Sequence, residues 1–344
     1  MLFSIVINNY NYAGYVREAI GSALAQDYSD LEVIVVDDGS TDNSRDVISG
    51  FAGKIIPVFK ENGGQGSALN AGFAAARGDI ILFLDADDTL MPHCCSTIAG
   101  LWRPETVKAH FNLVVVDQDG KNLGNYQNGK VLPSGDVTEQ ILKSGDYPSM
   151  PMSGNAFHRK YLEQVMPMAP EKWRQGADVY LYIQAPFYGA IASSDQPLGY
   201  YRMHGGNMSI HVKNNRVSIP SIDNFISRER ETDAVIRQQA IRLGRSYGNA
   251  LTRGTAHLQL AFFTVRFRQT LPGVTAKDSP IRSLARFMAA LLGDRALSPL
   301  KKLLIGTWMG AIMCLPSQLA ESLFVAGYKR GAVLAISRFI ATSA

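Results

Sequence analysis

The chain has 344 residues, of which 46% are hydrophobic, so it is long enough to bury a sizeable core and to form about two domains. Its three cysteines, Cys94, Cys95 and Cys314, are too few for a disulfide framework, and the absence of a Cys-x-x-Cys pair argues against a zinc site. The first apolar run, residues 2–7, is too short for a signal peptide or a membrane span. These features predict a protein of the reducing cytoplasm.

The charge is distributed unevenly along the chain. The net charge is +4, but residues 1–212 carry 15 basic and 23 acidic residues, whereas residues 213–344 carry 19 and 7. We therefore expect an acidic domain over residues 1–212 and a separate, basic region over residues 213–344.

Strands and helices are predicted to alternate over the first hundred residues. Short apolar runs predict buried strands at 3–7, 31–36, 54–59 and 79–84. Apolar residues at helical spacing predict helices over 15–24 and 66–76, and a further helix with Thr41 or Asp42 as its N-cap. This alternation predicts an α/β fold in which helices flank a doubly wound, mostly parallel sheet.

Beyond residue 100 the pattern changes. Residues 107–126 predict an extended hairpin that turns at Asp119-Gly120. A helix is predicted over 181–188, followed by short strands at 190–192 and 198–201. From about Ser218 onward, helical spacing predicts an α-helical C-terminal region.

Three carboxylates, Asp85, Asp87 and Asp88, follow the fourth predicted strand directly. Open α/β sheets place their ligands at this carboxyl edge. Acids so close together repel one another unless a cation lies among them, and their oxygens suit Mg²⁺ or Mn²⁺, which commonly bridge to substrate phosphates. The cluster therefore predicts a metal site, with a solvated acidic turn as the alternative.

Polar residues also follow the first two strands. Asp37-Asp38 after the second strand and Asn8-Asn9-Tyr10-Asn11 after the first favour a nucleoside site, because a carboxylate accepts the imide N–H of uracil and Tyr10 can stack on the base. The alternative is an N-cap followed by a turn. Residues 61–66 precede a helix, so their backbone N–H groups could cradle phosphate, although they match neither a P-loop nor a dinucleotide-binding motif.

Taken together, these motifs resemble the family 2 glycosyltransferases of the GT-A fold. The matching segments are Asn9-Tyr10-Asn11, Gln26-Asp27, residues 32–42, residues 62–70 and Asp85-Ala86-Asp87-Asp88. A weaker continuation runs through Gly176-Ala177-Asp178 and Tyr201-Arg202-Met203-His204.

The resemblance implies an inverting transfer of sugar from a nucleotide-diphosphate donor, with UDP favoured, to a saccharide or lipid-linked acceptor. It implies nucleotide contacts from Asn8, Tyr10, Asp38, Asn62 and Asp85. It implies that Asp85, Asp87 and His204 hold Mn²⁺ or Mg²⁺, with Asp88 close by. Asp178 is the implied general base, although Ala177 stands where the family usually has a second acid, and Arg202 is a candidate for neutralising the leaving group.

Two other functions stay open. A nucleotidyltransferase of similar fold would need a basic glycine-rich loop near the N-terminus, where residues 8–11 are uncharged. A non-catalytic sugar-nucleotide-binding or scaffold protein of a glycan-assembly complex is favoured by Ala177 alone.

The basic tail has its own alternatives. The apolar stretch 303–315 is too short to span a bilayer, and Lys301-Lys302 and Lys329-Arg330 flank it, which favours an interfacial region on the anionic inner face of the cell membrane. A helical cap or a homo-oligomer interface is the competing prediction. Nucleic acid is not expected, because the basic residues are spread along apolar helices.

Overall fold

A computed structural model describes residues 1–126, 131–204, 212–213, 216–217, 219–247, 262, 266, 279–293, 299–316, 319–320 and 322–323. The chain forms two compact units, one of Met1–His204 with Val235–Tyr247 and one of Gly205–Ala234 with Gly248–Ala344. The predicted boundary between residues 212 and 213 stays a prediction, and Val235–Tyr247 groups with the first unit.

Eleven strands are present among the described residues. They are β1 (Phe3–Asn9), β2 (Leu31–Asp38), β3 (Ile56–Lys60), β4 (Ile80–Asp85), β5 (Thr89–Leu90), β6 (Thr106–Asp117), β7 (Asn122–Asn125), β8 (Asn155–His158), β9 (Ala190–Met203), β10 (Val212–Lys213) and β11 (Arg216–Val217).

The described helices are α1 (Val16–Leu24), α2 (Ser44–Ser49), α3 (Gln65–Ala75), α4 (Cys94–Leu101), α5 (Thr138–Ser144), α6 (Arg159–Val165), α7 (Ala177–Gln184), α8 (Ile219–Arg242), α9 (Pro280–Gly293) and α10 (Pro299–Cys314). Short 3₁₀ turns lie at Met152–Gly154 and Ala185–Phe187. No helix of the described residues is both long enough and apolar enough to cross a bilayer.

The main sheet has the order β3-β2-β1-β4-β8-β6-β9-β5, with β7 paired to β6. The four strands from β3 to β4 are parallel, as predicted. β8 then runs antiparallel to both β4 and β6, whereas β6 and β9 are parallel to each other. The α/β fold class is confirmed, with a mixed second half of the sheet.

Most predicted elements are confirmed, and three differ in their bounds. The hairpin forms between β6 and β7, and Gly120 adopts a φ of +82° at its turn. The N-cap of α2 is Asn43, because the Asp42 carboxylate accepts the Ser44 N–H at 3.0 Å and delays the helix. The helix predicted over 181–188 already begins at Ala177, and the two short strands after it are one strand, β9. In the basic tail, α8, α9 and α10 confirm the helical pattern, while Lys329-Arg330 lies outside the described residues.

Both faces of the sheet are buried in the first unit. Alternate residues of β1 point to opposite sides, so Ile5 and Ile7 pack with α1 and α4, while Val6 packs with α3 and α7. This double burial explains the continuous apolar runs of the central strands. It also leaves the carboxyl ends of β1, β2 and β4 together at one edge of the sheet.

One buried polar pair interrupts the core on β6. Lys108 and His110 are both fully buried, and the Lys108 Nζ lies 3.1 Å from His110 Nδ1 and donates to Ser149 Oγ at 3.1 Å. His110 Nε2 lies 2.8 Å from the Pro133 carbonyl oxygen, to which it must donate. Nδ1 is therefore the acceptor for Lys108. Burial, and then the charge of Lys108, hold the pKa of His110 well below its usual value.

This pair predicts a loss of stability in mild acid. Burial also lowers the pKa of Lys108. Since the pKa of His110 is depressed in the folded state, the unfolded chain binds more protons at this position below pH about 6.5, and the contribution of His110 to stability falls with pH by up to about 1.4 kcal/mol per unit. His110→Gln keeps one donor and one acceptor but cannot titrate. Urea unfolding between pH about 7.5 and about 5.5 should therefore show a shallower slope in His110→Gln than in the wild type. Equal slopes would contradict this account.

Candidate functional site

The first two site residues lie side by side on neighbouring strands. β1 and β4 are parallel with Asn8 opposite Asp85, and the Asn8 Nδ2 donates to Asp85 Oδ1 at 2.8 Å. Because the amide nitrogen faces the carboxylate, Asn8 Oδ1 must point away from it. This oxygen is buried and has no protein partner in the structure, so it marks a polar position that a bound ligand can satisfy.

The Asp85 carboxyl group is strongly influenced by its surroundings. Burial, and then the charge of Asp87, raise its pKa to about 7, while the hydrogen bond from Asn8 opposes the rise. A nearby cation would favour the ionised form. The chemistry of this position therefore suits a positively charged ligand.

Asp88 has a different environment from its two neighbours. It is almost fully buried, and its carboxylate accepts the Ser153 hydroxyl at 2.6 Å and the Arg202 backbone N–H at 2.8 Å. The backbone N–H of Asp88 donates to the Asp85 carbonyl at 3.0 Å. Asp88 thus fastens the loop after β4 to the end of β9, which makes it a positioning residue.

Asp87 meets His204 at the end of β9. His204 Nε2 lies 3.0 Å from Asp87 Oδ2, and both side chains are buried. The His204 ring stacks on Tyr15 with centroids 4.9 Å apart and meets the edge of Tyr12 at 5.6 Å. The two tyrosines therefore fix the imidazole in front of Asp87. Tyr12 and Tyr15 are not among the predicted site residues, although both follow the Asn9-Tyr10-Asn11 motif closely.

Arg202 is held within the same corner. Its Nη2 donates to Glu18 Oε2 at 2.5 Å, its Nε donates to the Asp87 carbonyl at 3.1 Å, and its guanidinium lies over the Tyr15 ring at 5.2 Å. These contacts join β9 to α1 and to the acidic loop. The predicted contact of Arg202 with a leaving group stays a prediction.

The donor set fits a divalent ion completed by substrate. Within the described residues, no three acidic, histidine or cysteine side chains enclose a metal position on their own. Mg²⁺ is, however, commonly held by one or two carboxylates together with substrate phosphates and water. Asp87 Oδ2 and His204 Nε2 lie 3.0 Å apart, so both side chains could hold one ion in place of their mutual hydrogen bond.

Asp178 approaches this edge from α7. It occupies the first turn of the helix, where the helix dipole favours a carboxylate. The preceding Ala177 is fully buried, and its N–H donates to Gln65 Oε1 at 3.0 Å, which ties α7 to the start of α3. The charge of Asp178 adds to burial in raising the pKa of Tyr126, and contributes to the raised pKa of Asp85. Asp178 therefore lies within electrostatic reach of the acidic cluster.

Asp38 organises the glycine-rich loop between β3 and α3. Its carboxylate accepts the N–H groups of Gly63 at 3.0 Å and Gly64 at 2.7 Å, and the Lys60 Nζ at 2.5 Å. Asn62 belongs to the same loop, and its Nδ2 donates to the Asp38 carbonyl at 3.0 Å. The side chain predicted to contact the nucleobase thus also shapes the loop beside it.

The predicted phosphate cradle in this loop is wrong. The N–H groups of Gly63 and Gly64 donate to Asp38, while those of Gln65 and Gly66 donate to the carbonyls of Arg174 and Trp173. These donors are engaged by the protein itself. Sequence alone could not show this, because residues 173 and 174 are more than a hundred positions away.

The loop after β1 presents Tyr10 at the same edge. Tyr10 is 45% exposed, which leaves its ring accessible for stacking. Asn11 adopts a φ of +59°, and its Oδ1 accepts the Thr41 N–H at 2.7 Å. The ends of β1 and β2 are therefore fastened to each other beside an accessible aromatic ring.

Gly64 supplies a stability prediction for this site. Its φ of +85° and ψ of +176° lie in a region nearly restricted to glycine, and an added Cβ would lie 2.9 Å from the Arg174 Cα. We expect Gly64→Ala to lower the free energy of unfolding by more than about 3 kcal/mol, since strain and a backbone contact add. Gly53→Ala is the matched control, because Gly53 has a φ of +80° but no atom within 4 Å of its added Cβ. Thermal denaturation of both variants measures the difference, and equal losses would contradict the close-contact argument.

The sequence of the chain matches a known protein family. The family model described as Glycosyl transferase family 2 matches residues 4–166. An uncharacterized glycosyltransferase of Nostoc sp. is 43% identical over 215 residues, covering 60% of this chain and 66% of that protein. The succinoglycan biosynthesis protein ExoO of Rhizobium meliloti is 28% identical over 259 residues, covering 72% and 74%.

Solved structures show the same fold. The crystal structure of S. aureus TarS 1-349 in complex with UDP matches with a TM-score of 0.52 and 19% identity, over 96% of this chain and 92% of that one. At this identity the likeness concerns the fold, and it confirms the predicted GT-A architecture.

The curated relatives differ widely in how much of them this chain spans. It covers 66% of the Nostoc protein but only 29% of an uncharacterized glycosyltransferase of Rickettsia prowazekii, which is 48% identical over 92 residues. The matched segment contains β1 to β8 and the acidic loop after β4, so the resemblance seen in the sequence is confirmed. Through residues 4–166, the chain belongs to glycosyl transferase family 2.

Proposed function

We propose that the chain transfers a sugar from a nucleotide-diphosphate donor, UDP-linked, to a saccharide or lipid-linked acceptor with inversion at the anomeric carbon. The observation that carries this proposal is the meeting of Asp85, the Asp87–His204 pair and Asp178 at one edge of the sheet. Family membership supports glycosyl transfer. The arrangement of these side chains supports the proposal that the donor diphosphate and the base for the acceptor lie at this edge.

The donor diphosphate is proposed to lie against Asp85, Asp87 and His204, which would hold Mn²⁺ or Mg²⁺ between them. Such an ion acts as a Lewis acid that stabilises the negative charge of the departing diphosphate. The chain's own contribution is to hold these side chains still. Asp88 fixes the loop through Ser153, and Tyr12 and Tyr15 fix the imidazole.

The nucleoside is proposed to occupy the neighbouring strand ends, with Asn8, Tyr10, Asp38 and Asn62 around it. The exposed ring of Tyr10 suits stacking on a base, and Asn8 Oδ1 is a buried acceptor without a protein partner. The crystallised TarS binds UDP, which supports uracil as the first base to test.

Proton transfer is proposed to fall to Asp178. An inverting displacement needs a carboxylate that takes the proton of the acceptor hydroxyl as its oxygen attacks the anomeric carbon. Asp178 lies in the first turn of α7, where the helix dipole favours a carboxylate. Arg202 is proposed to act indirectly, by holding Asp87 through its carbonyl and α1 through Glu18.

A non-catalytic sugar-nucleotide-binding protein is the second candidate, and Ala177 is the observation that favours it. Ala177 is, however, part of the apolar core beneath α7, so its side chain does not belong to the acidic edge. The absence of an acid at this position therefore leaves Asp178 in place as the proposed base.

The acceptor class is proposed from the relatives, and association with the membrane is proposed from the basic tail. ExoO is a succinoglycan biosynthesis protein, which supports a glycan acceptor. Peripheral association of the basic tail with an anionic membrane would bring the domain to lipid-linked acceptors. Homo-oligomer formation stays a prediction.

A donor screen tests the proposal. Incubation of the full chain with UDP- and GDP-sugars, with and without Mn²⁺, should release nucleoside diphosphate from one donor class, and only with the ion present. Thermal shifts with the free nucleotides report binding independently of turnover. Binding without any release, with every acceptor class supplied, would favour the non-catalytic candidate and overturn the proposed transfer.

A further inference from the structure

The helices of the basic tail carry an apolar surface that faces solvent. On α10, Leu300, Leu303 and Leu304 are 67%, 66% and 62% exposed. These positions, together with Ala311 and the exposed Cys314, fall on one face of the helix at spacings of three, four and seven residues. The opposite face, with Ile305, Met309 and Ile312, is buried. Thr307 is a polar residue on the exposed face, and its hydroxyl donates to the Leu303 carbonyl at 2.8 Å. The exposed face is therefore mainly, though not wholly, apolar.

The end of α9 continues this surface. Leu292 is 70% exposed, and its carbonyl accepts the Lys302 Nζ at 2.8 Å, which places the start of α10 beside the end of α9. An added Cβ on Gly306 would lie 3.0 Å from the Met288 Cε, so the two helices approach closely. We call Leu292, Leu300, Leu303 and Leu304 the leucine face.

Basic residues accompany the leucine face. Arg282 and Arg286 are exposed on α9, next to the exposed stripe of Ile281, Ala285 and Leu292. Neither helix contains an aspartate or glutamate. Over residues 279–316 the sequence has five basic residues and a single acid, Asp294. Exposed leucines beside a net positive charge match the chemistry of an anionic lipid surface.

A second copy of the chain fits this surface less well. A two-fold interface would place the leucine face against itself, and with it the basic residues of both copies. Like charges brought together across an interface oppose association. A spanning role does not fit either, since α10 has 16 residues and a bilayer needs about 20.

We propose that the leucine face of α9 and α10 docks onto an anionic membrane, with both helices lying in the plane of the interface. The inference deepens the proposed peripheral role of the tail, on which it rests. Its test is a binding measurement, so the outcome is independent of whether the first unit transfers sugar.

The experiment is flotation of the full chain with phosphatidylcholine vesicles that contain or lack phosphatidylglycerol. We expect binding only to the anionic vesicles, lowered at least about tenfold in the double variant Leu303→Gln/Leu304→Gln. Each of Arg282→Gln and Arg286→Gln should lower binding by about fivefold, and salt should weaken it. Leu123→Gln is the matched control, because Leu123 is also an exposed leucine, at 47%, and lies on β7.

A probe on Cys314 gives a second readout. Cys94 and Cys95 are buried and Cys314 is exposed, so a polarity-sensitive thiol label should react selectively at the end of α10. Its emission should shift to the blue with anionic vesicles. Binding that is unchanged in the double leucine variant, or no binding at all, would overturn the proposal. So would self-association in sedimentation that is lost in that variant without any vesicle binding.

Discussion

Asp178→Asn is expected to lower kcat by about 10²–10⁴-fold while the affinity for the sugar nucleotide changes little. The amide keeps the shape of the side chain at the start of α7 but cannot take the proton of an acceptor hydroxyl. Donor contacts are proposed to lie at the other strand ends, at Asn8, Asp85 and Asp87, so donor binding should persist. Steady-state turnover and a nucleotide thermal shift, measured on the same variant, separate the two effects.

The control for this substitution is Asp30→Asn. Asp30 is an exposed aspartate just before β2, at the end of the sheet away from the acidic cluster, and its carboxylate lies 3.8 Å from the N-terminal amine. It should retain wild-type turnover. If Asp178→Asn also retains turnover, or if it loses donor binding in parallel with kcat, Asp178 is not the base.

The parts of the site that sequence could predict are those that local pattern determines. An apolar run such as Ile80–Asp85 indicates a buried strand, and residues that end parallel strands must meet at one edge, so Asn8, Asp38 and Asp85 could be placed together. The alternation of strands and helices was sufficient to predict the parallel half of the sheet, from β3 to β4. Local pattern does not predict the antiparallel strand β8 between β4 and β6, because its position depends on pairing between distant segments.

The contacts that hold the site together are long-range, and sequence pattern does not reveal them. The Tyr15 ring, near the start of the sequence, stacks on His204 at the end of β9. The Ser153 hydroxyl donates to Asp88, which lies on a distant segment of the sequence. The glycine-rich loop is the clearest case in which a local pattern predicts the wrong contact. Its free N–H groups before a helix suggested a phosphate site, but a carboxylate from β2 and two distant carbonyls already accept them.

Asp87→Asn is expected to lower kcat/KM by about 10²–10³-fold, the equivalent of several kcal/mol of charge stabilisation. The substitution preserves an oxygen that can accept from His204 Nε2, so the local fold should survive. What is lost is the negative charge facing the proposed donor diphosphate site. The thermal shift produced by UDP together with Mn²⁺ should shrink accordingly, which is a readout that does not depend on turnover.

Asp88→Asn provides the contrast within the same cluster. Asp88 accepts Ser153 and the backbone of Arg202, so its replacement should lower the free energy of unfolding while the remaining folded protein keeps its Mn²⁺-dependent shift. The Asp87→Asn variant should instead lose the Mn²⁺-dependent thermal shift without a matching decrease in the free energy of unfolding. If the two variants behave alike, the acidic loop acts as a single structural unit and the separate role of Asp87 is wrong. A difference between them would assign the ion to the Asp87–His204 side of the loop, since the Asp88 carboxylate is already engaged by Ser153 and the Arg202 backbone.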